Sequence, residues 1–251
     1  MPTLILSSKY TTESKILRKA AQALKWETFR FENDSVPVWY EGRNAQHAIY
    51  CTVPKAFSVA DKLDSILLGC SSDWLTSLPA TFLMRRVELF ALKDAIGITE
   101  RCFIKPALGK SFDAGVRTGQ ALMSEASRLP PNLLVHVSEI VEWEAEYRCF
   151  TKNNEVATVS PYRSQGVTFS SYASPLTGPR IELEAAFEFA RCVLNSAPCP
   201  KAFVLDVGII KGKGWAVVEP NECWGAGIYG CSPRKVLEVL LAATVQRCQA
   251  T

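Results

Sequence analysis

The residues of this chain whose types and spacing could do chemistry gather first in its last third, in FVLDVGIIKGKGWAVVEPNECW. Two strand-like runs flank Gly212-Lys213, and glycine in the first position suits a two-residue type II′ turn. With Lys211 opposite Gly214, counting outward sets Asp206 across from Glu219, and strand alternation puts Asn221 on the same face as Glu219. Opposed like charges in a sheet repel, so an Asp–Glu pair among Val, Ile and Ala calls for a cation between its members. A hard divalent ion suits three such oxygen donors, and Mg2+ carried in on a nucleotide fits best. The plain alternative is a pair of solvated strand-end carboxylates.

Three cationic residues extend the set. Lys105 sits in FIKP, where an ammonium beside Phe103 and Ile104 is costly to bury unless an anion meets it; otherwise it points to water. Arg148 and Arg163 fall on the two arms of a hairpin turning at Asn153-Asn154. If both face a cleft, their planar guanidinium groups could hold a carboxylate or a phosphate; if not, they are surface charges.

Such groups need a scaffold, and the apolar pattern outlines one. TLILS (3–7) predicts a strand, 12–24 a helix and WETFRF (26–31) a strand, a βαβ beginning. HAIYCTV (47–53) and a helix near 56–67 extend it to a small α/β unit over about the first 75 residues. FLMRRVELFALKDAIG predicts an amphipathic helix stopping at Gly97, and RCFIKP (101–106) a strand closed by proline. GVRTGQALMSEAS predicts a helix, LLVHV a strand, YRCFTK and EVATVS a hairpin, and 180–195 a helix. Ser232-Pro233 offers an N-cap and a first-turn proline to a final helix, RKVLEVLLAATVQRC. The stretch at 164–178, polar and turn-rich, has the length of a substrate loop.

Composition narrows the function classes. A chain of 251 residues with 48% hydrophobic content can bury a sizeable core, and its +3 charge arises from mixed acids and bases with no basic run to track nucleic acid. No apolar segment reaches the ~18 residues of a membrane span, and the N-terminus lacks a basic leader region, so a cytoplasmic location is expected. The nine cysteines form no CxxC pair and several fall in apolar runs, which reads as reduced and structural. His47 and His136 are not near paired cysteines, which argues against zinc. Gly109-Lys110-Ser111 resembles the end of a P-loop, but Ile104 stands where its first glycine belongs; Gly225 and Gly227 follow no dinucleotide-type βαβ unit.

Taken in order, FIKP, SEIVEWEAEYR, LDVGII and VVEPN resemble the ATP-grasp fold over roughly residues 80–245. EYR followed by SPYR, with a lysine upstream, resembles more closely the ATP-grasp clade named for two arginines and one lysine. That clade spans small bacterial and phage proteins and a eukaryotic cell-division-cycle factor that assembles a translation initiation factor. The resemblance implies two α+β lobes clasping ATP, preceded by an α/β pre-grasp domain. It divides the chain into residues 1–78 and 79–251, with a central lobe at about 98–138 and a C-terminal lobe at about 139–251. It gives Lys105 the α- and β-phosphates, main-chain groups of Glu139, Ile140 and Val141 the adenine edge, and Glu146 a ribose hydroxyl. Residues 107–114, with Lys110, would cover the triphosphate. Mg2+ would sit on Asp206, Glu219 and Asn221, while Arg148 and Arg163 would meet phosphate or acyl phosphate. The implied activity is an ATP- and Mg-dependent carboxylate–amine ligase acting through an acyl phosphate, on a small molecule, peptide or protein. The alternatives are an ATP-binding assembly factor and a kinase that stops at phosphoryl transfer.

Overall fold

TLILS is buried along its whole length, as the central strand of a parallel sheet covered on both faces must be. It is β1 (Thr3–Ser7), flanked in parallel by β2 (Glu27–Phe31) and β3 (His47–Tyr50). Between β1 and β2, α1 (Thr12–Ala23) starts at a reciprocal Thr11–Ser14 capping box. After β3 come α2 (Val53–Lys62) and the short β4 (Ser65–Leu67). The computed structural model describes residues 1–31, 36–37, 40, 46–164, 167–168 and 182–247.

Two single-turn helices, α3 (Trp74–Ser77) and α4 (Ala80–Leu83), lead into β5 (Val87–Ala91) and α5 (Leu92–Ala95). The helix expected up to Gly97 is therefore a strand between short turns. VELFA pairs antiparallel with β8 (Leu134–Ser138), and this pairing overrides a helical apolar spacing. Together with β6 (Cys102–Pro106) and β7 (Gly115–Arg117) it makes a four-stranded sheet ordered β5-β8-β6-β7. The helix expected over 115–127 is broken into β7, a 3-10 turn at Gly119–Leu122 and α6 (Met123–Ala126).

A five-stranded antiparallel sheet, ordered β11-β10-β9-β12-β13, forms the C-terminal lobe. Its members are β9 (Trp143–Lys152), β10 (Glu155–Ser164), β11 (Val167–Thr168), β12 (Ala202–Ile210) and β13 (Gly214–Asn221). Helix α7 (Leu183–Ser196) covers one face, where Phe203, Leu205, Val207 and Val217 are buried with Ala186, Ala190 and Val193. The hairpin at Asn153-Asn154 forms as expected, with both residues left-handed at φ 53 and 60°. Beyond β13 the chain returns to the N-terminal unit: α8 (Pro233–Ala242) packs on α1 and β3, and β14 (Thr244–Gln246) pairs with β4.

Candidate functional site: a cavity between two antiparallel sheets

Strand alternation and two β-bulges decide which side chains reach the cleft. The β12–β13 connection is a three-residue turn, Lys211–Lys213, with Ile210 paired to Gly214 rather than Lys211 as expected. A bulge then inserts Val218, and Asp206 pairs with Glu219 all the same. The expected pairing holds because two departures from a regular hairpin cancel. On its other side Asp206 pairs with Arg148 of β9, which pairs with Ser160 of β10, so a row of side chains runs across four strands. A second bulge, at Tyr162, brings Arg163 opposite Glu146.

The row is bonded together. Arg148 donates from Nε to Asp206 Oδ1 at 2.9 Å and from Nη2 to Oδ2 at 2.7 Å, a fork in which Asp206 is fully buried. Asn221 Nδ2 donates to Asp206 Oδ2 at 2.9 Å and to Glu219 Oε1 at 3.1 Å, bridging the carboxylates. From the facing sheet the Lys105 ammonium donates to Glu219 Oε2. Burial pushes Glu219 up, but the Lys105 ammonium, the Asn221 amide and the Arg148 guanidinium together outweigh it and hold the carboxyl below its usual range. Burial raises the Asp206 carboxyl, with Arg148 working against the rise. The Arg148 guanidinium lies 5.1 Å from the Tyr162 ring and 5.0 Å from that of Tyr229, and Nη1 donates to Gly227 O at 3.0 Å.

Glu146 accepts from Tyr162 Oη and, at 3.2 Å, from Arg163. Burial raises its carboxyl, and these two partners pull it back. In the linker between β8 and β9, Glu139 N donates to Arg86 O, so its amide is engaged inside the protein. The hairpin tip is stapled to this linker by Lys213–Glu139 at 2.6 Å, Lys211–Glu142 at 2.9 Å and a bond from Lys211 N to Glu142 O.

These groups surround a cavity of about 1370 Å³ between the two sheets. Lys105, Glu139, Ile140, Val141, Glu146, Arg148, Arg163, Glu219 and Asn221 all line it; Asp206 lies one layer behind, under Arg148. Residues 107–110 and 112–114 also line it, Lys110 included, whereas most of 164–178 falls outside the described residues. Sequence reasoning missed Arg85, His136, Tyr162 and Tyr229, all at the cavity wall, and set aside Gly225 and Gly227, which line it too. His136 pairs with Lys105 across β6–β8, and its Nε2 lies 3.0 Å from Ser72 O. Tyr162 belonged to the SPYR motif; Arg85 and His136 gave no local signal.

The donor set would suit a divalent ion only once Lys105 or Arg148 gives way. Two hard carboxylates converge on one amide, which a half-turn would present as an oxygen, and Lys105 and Arg148 already balance their charge. Glu219 and Asn221 are open to the cavity; Asp206 joins them only if Arg148 releases an oxygen. Among the described residues no three His, Cys, Asp or Glu side chains group as a metal site, and no helix is long and apolar enough to cross a membrane.

Comparison with known proteins agrees with this architecture. A D-cycloserine synthetase superposes with a TM-score of 0.58 at 11% identity, over 95% of this chain and 98% of that one. D-alanine–D-alanine ligase from Bacillus anthracis gives 0.52 at 11% identity, over 97% of each chain. A RimK domain ATP-grasp protein from Sphaerobacter thermophilus gives 0.50 at 13% identity, also over 97% of each. At such identities the likeness is one of fold. No curated protein matches the sequence. The profile of the ATP-grasp domain of the two-arginine, one-lysine clade, family 2, matches residues 82–239, and the chain belongs to that family.

Proposed function

We propose that the protein is an ATP-dependent carboxylate–amine ligase. The observation that carries this reading is the convergence, across a cavity between two sheets, of Lys105 from one sheet on Glu219, Asn221 and the Arg148–Asp206 pair of the other. Lys105, released from Glu219, holds the α- and β-phosphates of ATP; Ile140 and Val141 border the adenine, and Glu146 exchanges one of its partners for a ribose hydroxyl. Glu219 and Asn221, with Asp206 behind them, hold Mg2+, which when bound neutralises charge on the phosphate oxygens. Arg163, about half exposed and facing the same cavity, meets the acceptor carboxylate or the transferring phosphoryl group.

In the first step an oxygen of the carboxylate bonds to the γ-phosphorus and ADP leaves with the electron pair of the broken P–O bond; in the second an amine bonds to the acyl carbon, phosphate leaves with the electron pair, and the amine's proton passes to phosphate or solvent. No side chain forms a covalent bond, so the residues act by positioning and by charge. A peptide carboxylate suits the open mouth of the cavity, and a ligase of the same fold, with TM-score 0.51, is known in complex with a minimal precursor.

The test is incubation with Mg-ATP and pools of peptides and amino acids, read by mass spectrometry for ADP together with a condensed product. Glu219→Gln should remain folded and lose Mg-dependent turnover; unchanged turnover removes the metal assignment. ATP bound without ADP release for any acceptor would favour the assembly role, and ADP with a phosphorylated acceptor alone would favour a kinase.

A further inference from the structure

In β13, Trp215 and Val217 turn toward the apolar cluster under α7. Regular alternation would send Glu219 and Asn221 to that same face, away from the cavity. They reach the cavity only because Val218 is inserted as a bulge, which reverses the phase of everything after it. Something must hold the extra residue. A regular ladder continuing from Ile210 opposite Gly214 would pair Asp206 with Val218 and drive Glu219 among buried apolar side chains.

Arg85 is placed to hold it. Its Nη1 donates to Val217 O at 2.7 Å and its Nη2 to Val218 O at 2.9 Å. Successive carbonyls of a regular strand point in opposite directions, so one guanidinium takes both only where the strand is kinked. Arg85 Nη1 also donates to Leu83 O at 3.1 Å, and its guanidinium lies 5.0 Å from the Trp143 ring, which fixes its plane. It follows Met84, whose left-handed φ of 51° ends α4 and turns the chain toward β13. Burial lowers its pKa to about 10, against the pull of Glu219, Glu139 and Glu146.

We propose that Arg85 is a positioning residue: its fork clamps the Val218 bulge and so sets the phase that presents Glu219 and Asn221 to the metal–nucleotide site. The consequence for metal binding rests on the function proposed above; the register itself does not. A lysine offers charge without a rigid fork, and cannot replace it.

Two readouts separate these layers. Cross-strand NOEs between Asp206 and Glu219 report the register with no ligand present, and Mn2+ binding in the presence of a non-hydrolysable ATP analogue, followed by EPR, reports the site. Arg85→Gln and Arg85→Lys should both lose the Asp206–Glu219 contacts and weaken Mn2+ at least tenfold. Deleting Val218 removes the need for a clamp, since Val207–Val217 and Asp206–Glu219 then follow in a regular ladder. That deletion should keep Mn2+ affinity within a few fold, and in its background Arg85→Gln should cost little. If Arg85→Gln does not fold alone, the deletion background carries the comparison. The proposal is overturned if Arg85→Gln keeps the register and Mn2+ affinity, if Arg85→Lys behaves as wild type, or if deletion and substitution losses simply add. Wild-type protein that shows the register but binds no Mn2+ would sink the function and leave the register arm to decide the role of Arg85.

Discussion

Arg148 and Asp206 are buried together, and each is the other's counter-charge. Replacing Arg148 leaves the buried Asp206 charge uncompensated, with the neutral Asn221 amide as its remaining partner. Arg148→Met should therefore lower stability by about 3–5 kcal/mol, read as a shift in the urea midpoint, apart from any loss of activity. His136 has the opposite relation to charge. Burial first, then Lys105, lowers its pKa to about 4, so it is neutral in the folded protein while the unfolded chain titrates near the ordinary ~6.5. Between those values the unfolded state binds more protons, so stability falls as pH drops through that window. The wild-type urea midpoint should decline from pH 7 to pH 4.5, and His136→Leu should flatten that decline; an equal decline in the variant would remove His136 as its source. Asp206 and Glu219 could be paired from the sequence only because the one-residue-longer turn and the Val218 bulge cancel, with Asn221 following Glu219 by alternation. His136 and Arg85 were not legible, because their partners, Ser72 and the carbonyls of β13, are distant in sequence.

At the scale of elements the site depends on irregularities. The bulges at Val218 and Tyr162 each turn the next residue, Glu219 or Arg163, toward its partner. Neither can be read from a period of two, which is why the Asp206–Glu219 pairing could be expected from the wrong turn. The VELFA segment was misread for a related reason: its apolar spacing suits a helix, and only β8, more than forty residues on, makes it a strand. The Asn153-Asn154 turn was legible because its requirement is local, two residues at positive φ. Asn154→Val places a β-branched side chain at φ 60°, and should cost about 1–2 kcal/mol in urea unfolding while leaving nucleotide binding nearly unchanged. A variant as stable as wild type would show that the hairpin tolerates another turn.

The whole molecule is less divisible than its sequence order suggests. One buried cluster joins Leu4, Ile5 and Leu6 of β1 with Ala48 and Ile49 of β3, Phe150 and Val204 of the C-terminal sheet, and Val236, Leu237 and Leu240 of α8. The apolar faces of 1–78 are thus completed by residues from far later in the chain, a return that no local pattern announces. Arg247 adds ion pairs to Asp61 and Asp64 at the same seam. If this cluster is one cooperative unit, residues 1–78 alone lack the surface that stabilises their sheet and should not give a folded fragment. Leu240→Ala in the full chain should cost about 2–5 kcal/mol. It should also lower hydrogen-exchange protection in β1 and β3 together with β9, although Leu240 lies in none of these strands. Protection lost in α8 alone, or a fragment 1–78 that unfolds cooperatively, would instead mean that the N-terminal sheet stands by itself and that α8 is only a cover.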